Sequence, residues 1–226
     1  MTNGEVRHTG NLLTRNPIRG RVIARGDTPA SILCAPNLIS IVRILLIPVF
    51  VVLLLVDGGA NGPLRWAAAI IFVLAIATDA IDGHLARSRN LVTDLGIFLD
   101  PVADKGLTGA AFIGLGILGE LWWWVIALVL VREIGITIMR SALLKDRVIP
   151  ASKGGKLKTV AQSVALSLAL LPFWSIVDSP AVANMILWVN WVAMAIAVAL
   201  TVITGIDYVV KAVQAKPKPK PVDADH

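Results

Sequence analysis

The chain has 226 residues, of which 56% are hydrophobic and 16% charged, and its mean hydropathy is +0.76. Soluble domains carry roughly a quarter of charged residues, so this composition excludes an ordinary soluble domain and points to the membrane. The net charge of +6 does not indicate nucleic acid, because the basic residues gather at the chain ends and in alternate loops.

Residues 1–36 form a basic segment with Arg7, Arg15, Arg19, Arg21 and Arg25, and lack the apolar core of a secretory signal. Arg15–Arg25 is read as a short amphipathic juxtamembrane segment. The single cysteine, Cys34, excludes an intrachain disulfide. Residues 37–210 then hold six apolar stretches of bilayer-spanning length, near 37–57, 66–88, 95–118, 121–144, 158–177 and 183–210. The expected fold is an all-α integral membrane protein with six transmembrane helices.

The connections alternate in charge. Asp57–Pro63, Gly119–Glu120 and Asp178–Asn184 hold no Lys or Arg, and Arg65 alone lies near that side. The other side collects the N-terminal arginines, Arg87, Arg89, Lys145, Arg147, Lys153, Lys156 and Lys158. The positive-inside rule makes that second side cytoplasmic, with both termini there. Trp122, Trp123 and Trp124 are read as an interfacial anchor on the outer side. Residues 211–226, rich in Lys and Pro, are expected to form an extended, disordered cytoplasmic tail.

Ionisable groups inside spans are costly and mark functional sites. Asp79 and Asp82 stand i, i+3 at the cytoplasmic end of the second span, and Asp100 and Asp104 stand i, i+4 at the cytoplasmic end of the third. Either spacing puts both carboxylates of a pair on one helical face. The short loop Ser88–Asp94 makes the two spans antiparallel neighbours with their acidic ends side by side. Clustered carboxylates suit hard divalent cations such as Mg²⁺ or Mn²⁺, and two such ions can clamp a phosphoryl displacement. The alternative is a set of salt bridges with Arg87, Arg89 and Lys105. Gly83, Ala86 and Gly96 allow close helix packing or close ligand approach, and Pro101 is expected to loosen the third span.

The full string is Asp79-x2-Asp82-Gly83-x2-Ala86-Arg87-x8-Gly96-x3-Asp100-x3-Asp104. It resembles, at all eight fixed positions, the signature of the CDP-alcohol phosphotransferases. That resemblance implies a metal-dependent transfer of a phosphoalcohol group from a CDP-alcohol to an acceptor hydroxyl, with release of CMP. It implies metal ligation by Asp79, Asp82 and Asp100, and a general base at Asp104 that also reaches metal. Gly83, Ala86 and Arg87 fall where the family holds the cytidine and diphosphate.

Arg132 and Arg140 lie two helical turns apart in the fourth span, and Lys153 and Lys156 follow in a glycine-containing loop. Together they are candidates for an acceptor's phosphate. The alternative is that Arg132 pairs with Glu133 or Asp207 and that the lysines set topology. The stretches Arg132–Arg140, Pro150–Thr159 and Pro36–Arg43 resemble the bacterial phosphatidylglycerophosphate synthases, although Ser40 stands where many members have Thr. This branch implies CDP-diacylglycerol as donor, with Asn37 and Arg43 at the mouth of its site, and glycerol 3-phosphate as acceptor. It also implies a homodimer in a bacterial cytoplasmic membrane. Inositol phosphate or phosphatidylglycerol are the rival acceptors. A divalent-cation transporter is the rival of another class; it is disfavoured because spans two and three offer no polar path through their outer halves, Trp66–Ala77 and Leu107–Leu118.

Overall fold

The computed structural model describes residues 35–88, 94–143 and 153–214, with side chains at 38–79, 99–139 and 155–214. These residues form six α-helices: α1 Ala35–Asp57, α2 Pro63–Ser88, α3 Asp94–Ile117, α4 Trp123–Leu143, α5 Lys153–Leu170 and α6 Pro180–Gln214. A 3-10 turn, Phe173–Ser175, joins the last two, and no strand occurs among the described residues. Three segments of these are long and apolar enough to cross a membrane: Leu38–Asp57, Gly155–Ser175 and Pro180–Gln214. Large apolar side chains such as Leu45, Val52, Leu74, Val131, Ile138 and Trp188 face outward, as lipid-facing residues of a membrane protein do. The basic segment before residue 35 and the tail beyond Gln214 lie outside the described residues.

Local chemistry explains where the helices start and stop. Three residues with positive φ, Gly58 (60°), Gly59 (84°) and Asn61 (57°), turn the chain between α1 and α2. The buried Asp57 carboxylate at the end of α1 accepts from the N–H groups of Asn61 (2.9 Å), Gly62 (3.0 Å) and Arg65 (3.2 Å). It thereby caps the first turn of α2 across the loop. Pro63 and Pro180 open α2 and α6, where a missing N–H costs nothing. The fifth helix begins at Lys153 and ends at Leu170, earlier at both ends than its apolar stretch predicts; at its C-terminal end Pro172 cannot donate to the ladder. The sixth runs four residues past its expected end. The next proline in the chain after Pro180 is Pro217, and an Asp207–Lys211 pair at 2.7 Å supports the last turns. The helix α3 continues through Pro101.

α1 packs along both α2 and α3, whereas α2 and α3 meet little among the described residues. Through the apolar part of the bundle α1 is the helix that joins α2 to α3, and the loop between their acidic ends lies outside the described residues. Phe50 and Leu54 of α1 are buried against Phe72 of α2 and Leu107, Ala111 and Leu115 of α3. The Phe50 and Phe72 rings lie 5.6 Å apart. Glycines set the closeness of α1 to α3: a Cβ at Gly106 would stand 2.9 Å from Ile47 Cδ1, and one at Gly114 would stand 2.6 Å from Leu54 Cδ2. A second group forms where α6 lies along α5 and α4.

At the end of the bundle holding the α1–α2 turn, Arg65 is fully buried. It donates from Nη1 and Nη2 to the two oxygens of Glu120 at 2.9 and 2.6 Å. It also donates from Nε to the Leu170 carbonyl (2.9 Å) and from Nη2 to that of Ala169 (3.0 Å). One guanidinium therefore ties α2, the α3–α4 turn and the C-terminus of α5, whose unpaired carbonyls favour a cation. Glu120→Ala would leave that charge buried and unpaired, with an expected loss of about 3 kcal/mol, read as a lower melting temperature in detergent. Gly114→Val is expected to cost about 1–3 kcal/mol by forcing α1 from α3, checked in the same melt.

Candidate active site

α1 delivers two polar side chains, one turn apart, to the acidic helices. Ser40 Oγ donates to Asp100 Oδ1 on α3, and Arg43 Nη1 donates to Asp79 Oδ1 on α2. Ser40 and Arg43 are each 3% exposed, whereas Asp79 and Asp100 open outward. The buried Arg43 is held by the packing of α1, and its Nε has no hydrogen-bond partner. Its charge offsets that of Asp79 at a place where the carboxylates of two helices converge. The carboxylate of Asp82 belongs to the same signature, but its side chain lies outside the described residues, and among the described residues no group of three or more His, Cys, Asp or Glu gathers. The donors that are described, carboxylate oxygens facing an arginine and a hydroxyl, are of the hard type that fits Mg²⁺ or Mn²⁺.

Asp104 lies one turn beyond Asp100 on α3 and lines a cavity of about 340 Å³ between α3, α4 and α5. Lys105, Glu133, Thr137, Lys158 and Gln162 share its wall. Thr108 Oγ1 donates to the Asp104 backbone carbonyl at 2.9 Å. Lys105 Nζ donates to Thr137 across the cavity from α3 to α4, and Lys158 Nζ donates to Glu133 from α5 to α4. The cavity thus sets a carboxylate beside two ammonium groups, of which Lys158 is buried.

Arg132 points elsewhere. Its Nε donates to the Thr201 carbonyl (3.1 Å) and its Nη2 to Thr204 Oγ1 (2.9 Å), both on α6, and Nη1 donates to Glu133 Oε1 (3.0 Å). A Cβ at Gly205 would stand 3.2 Å from the Arg132 stem, so that glycine lets the arginine cross α6. Lys156 is exposed and does not line the cavity. The side chains of Asn37, Asp82, Gly83, Ala86, Arg87, Arg140 and Lys153 lie outside the described residues.

Several polar residues here escape a reading from sequence alone. Lys158 reads as a topology charge and Lys105 as a salt-bridge partner for the aspartates, whereas both line the Asp104 cavity. Glu133 reads only as a neighbour of Arg132, yet it accepts from Lys158 as well. The signal that would have found Glu133 is the one that found the aspartates, an ionisable group in an apolar span.

Comparison with known proteins bears on this arrangement. A sequence model of the CDP-alcohol phosphatidyltransferase family matches residues 33–204. A protein of Mycobacterium tuberculosis (strain H37Rv) named a probable phosphatidylglycerophosphate synthase is 43% identical over 202 residues, which cover 89% of this chain and 90% of that protein. The CDP-diacylglycerol–glycerol-3-phosphate 3-phosphatidyltransferase of Bacillus subtilis (strain 168) is 39% identical over 186 residues, 76% of this chain and 92% of that one. The protein of the same name from Escherichia coli (strain K12) is 40% identical over 143 residues, 60% of this chain and 75% of that one. The family match spans every helix that carries the aspartates, α1 with its bridging Ser40 and Arg43, and the walls of the Asp104 cavity, and on this footing the chain belongs to the CDP-alcohol phosphatidyltransferase family.

Proposed function

We propose that this chain transfers the phosphatidyl group of CDP-diacylglycerol to sn-glycerol 3-phosphate, giving phosphatidylglycerophosphate and CMP. The placement of Asp104 in one cavity with Lys105 and Lys158 is the observation that carries the proposal. A base there faces a pocket whose ammonium groups suit a phosphorylated alcohol. The relatives that share most of the chain carry names of this same reaction.

In this reading Asp79, Asp82 and Asp100 hold Mg²⁺ or Mn²⁺, two ions in all, with Asp104 reaching the same centre. Bound there, the cations neutralise the diphosphate and the departing CMP. Asn37, Arg43, Gly83, Ala86 and Arg87 receive the CDP end of the donor. Arg43 supplies fixed positive charge from the buried side of the site. Asp104 takes the proton of the acceptor hydroxyl as that oxygen attacks the phosphorus next to the diacylglycerol. Lys105 and Lys158 hold the acceptor phosphate, aided by Arg140 and Lys153 from the end of α4 and the start of α5. Arg132 serves this pocket indirectly: it fixes Glu133, which in turn places Lys158.

The wider proposal places the six helices across a bacterial cytoplasmic membrane, as a homodimer, with both termini and the site on the cytoplasmic side. The donor's acyl chains then stay in the bilayer while its headgroup reaches the aspartates. The arginines and lysines of the loops at that end support the orientation.

CMP release by purified protein in detergent tests the reaction, with CDP-diacylglycerol, Mg²⁺ or Mn²⁺, and glycerol 3-phosphate, inositol phosphate or phosphatidylglycerol in parallel. Release is expected with glycerol 3-phosphate and not with the other two, and chelation of the metal should abolish it. Asp104→Asn should lower kcat by about 10²–10⁴-fold. Release only with another acceptor would overturn the proposed acceptor, and no release by folded protein would overturn the enzyme reading. Lys158→Met should raise KM for glycerol 3-phosphate about ten-fold or more while that for CDP-diacylglycerol stays nearly constant.

A further inference from the structure

A larger cavity, about 470 Å³, lies at the other end of the bundle. It falls in the roughly 300–1,000 Å³ range of small-molecule sites. Its wall draws on the α1–α2 turn, the α3–α4 turn, the 3-10 segment and α6. Asp57, where α1 meets this wall, is fourteen residues along that helix from Arg43, or about 21 Å at 1.5 Å per residue. The cavity is therefore separate from the site of the aspartates, and nothing in the proposed reaction uses it.

The wall carries the Asn61 and Asn190 amides, the Glu120 carboxylate and the indole rings of Trp174 and Trp191, so it holds both donors and acceptors. Asn61 Oδ1 has no hydrogen-bond partner, while its Nδ2 donates to the Gly59 carbonyl at 3.2 Å. Asn190 is 9% exposed and brings an amide to the cavity from an otherwise apolar stretch of α6. An amide buried in such a stretch is costly unless it meets a partner. Glu120 adds a carboxylate whose charge is offset by Arg65, and Arg65 spends its donors on Glu120 and two carbonyls. Hence no net negative charge draws an ammonium group, and no arginine is left over to receive a phosphate. Such a wall suits neutral groups that both donate and accept, as hydroxyls do. Trp174 and Trp191 offer aromatic faces for the C–H side of a polyol, and Leu187 and Met194 continue the wall with apolar surface. The neighbouring outer face of α6 is apolar at Trp188 and Val192, where an acyl chain would lie.

We infer that this cavity binds a lipid through a polyhydroxyl headgroup, with the hydroxyls on Asn190 and Glu120 and the acyl chains along α6. The inference rests on the cavity alone and stands independently of the acceptor used at the aspartate end.

The test uses the full chain in nanodiscs of phosphatidylcholine doped in separate arms with glucosyl diacylglycerol, phosphatidylglycerol or phosphatidylethanolamine. Lipid retained after detergent extraction is counted by mass spectrometry. Retention of glucosyl diacylglycerol or phosphatidylglycerol above phosphatidylcholine is expected, and the two arms tell whether the headgroup comes with or without a phosphate. Asn190→Leu should lower that retention about five-fold, the loss of one hydrogen bond. Leu187→Trp, which narrows the cavity from its rim without removing a core side chain, should do the same. Size-exclusion profile and melting temperature identify a variant that fails to fold, in which case the other decides. Equal retention of all lipids, preference for phosphatidylethanolamine, or retention unchanged in a folded variant would each overturn the inference.

Discussion

Carboxylates crowded at one end of an apolar bundle repel one another, and the structure answers that repulsion with a helix. α1 stands against both α2 and α3, and its Arg43 and Ser40 each engage one acidic helix. A buried guanidinium needs an anion, and paired carboxylates need positive charge or hydrogen-bond donors, so each requirement meets the other. The depth of α1 in the bundle follows from small residues on α3. Gly106 and Gly114 leave room for Ile47 and Leu54, and on the same pair of helices Ser40 reaches Asp100.

The two ends of the bundle follow different electrostatic rules. Arg65 is wholly buried and uses donors on both oxygens of Glu120 and on two carbonyls, while Asp57 accepts three backbone N–H groups. Such saturated networks fix one arrangement. At the aspartate end the ion pairs are simpler. Arg43 meets Asp79 through one nitrogen, and Lys158 meets Glu133 beside an open cavity. In pairs of that kind the basic group can pass from a protein carboxylate to a substrate phosphate, and the carboxylate can pass from the basic group to a metal ion. Rigidity at one end and exchangeable charge at the other suit an enzyme that must admit a charged substrate into an apolar bundle.

Arg132 illustrates how position within a helix misleads about role. An arginine deep in an apolar stretch invites an anion, and here the partners are the Thr201 carbonyl, Thr204 and Glu133. Gly205 clears the path of its stem. The guanidinium thus joins α4 to α6, and Glu133, held between Arg132 and Lys158, passes that order to the cavity. The order of this cavity is thus linked to α6, a helix that contributes no residue to its wall.

The sequence by itself determined the helical class, the approximate limits of the helices and the identity of the acidic signature. Apolar runs, prolines and i, i+3 or i, i+4 spacings act within a few residues, so their consequences are visible in one dimension. The membership in a family was legible for the same reason, since the eight signature positions are fixed by spacing along two neighbouring helices. The Arg132–Glu133 pair was open to a reading from sequence, but the pairing of charges between helices was not legible. Arg43 and Asp79 are 36 positions apart, Ser40 and Asp100 are 60, and Arg65 finds a carbonyl 105 positions away. A lysine or arginine has several carboxylates within plausible reach once the chain folds, and only the crossing of helices selects among them. Tertiary structure alone therefore decided that Lys158 joins the cavity while Arg132 turns to α6, because side-chain partners are set by helix packing and helix packing is set by surfaces far apart in the chain.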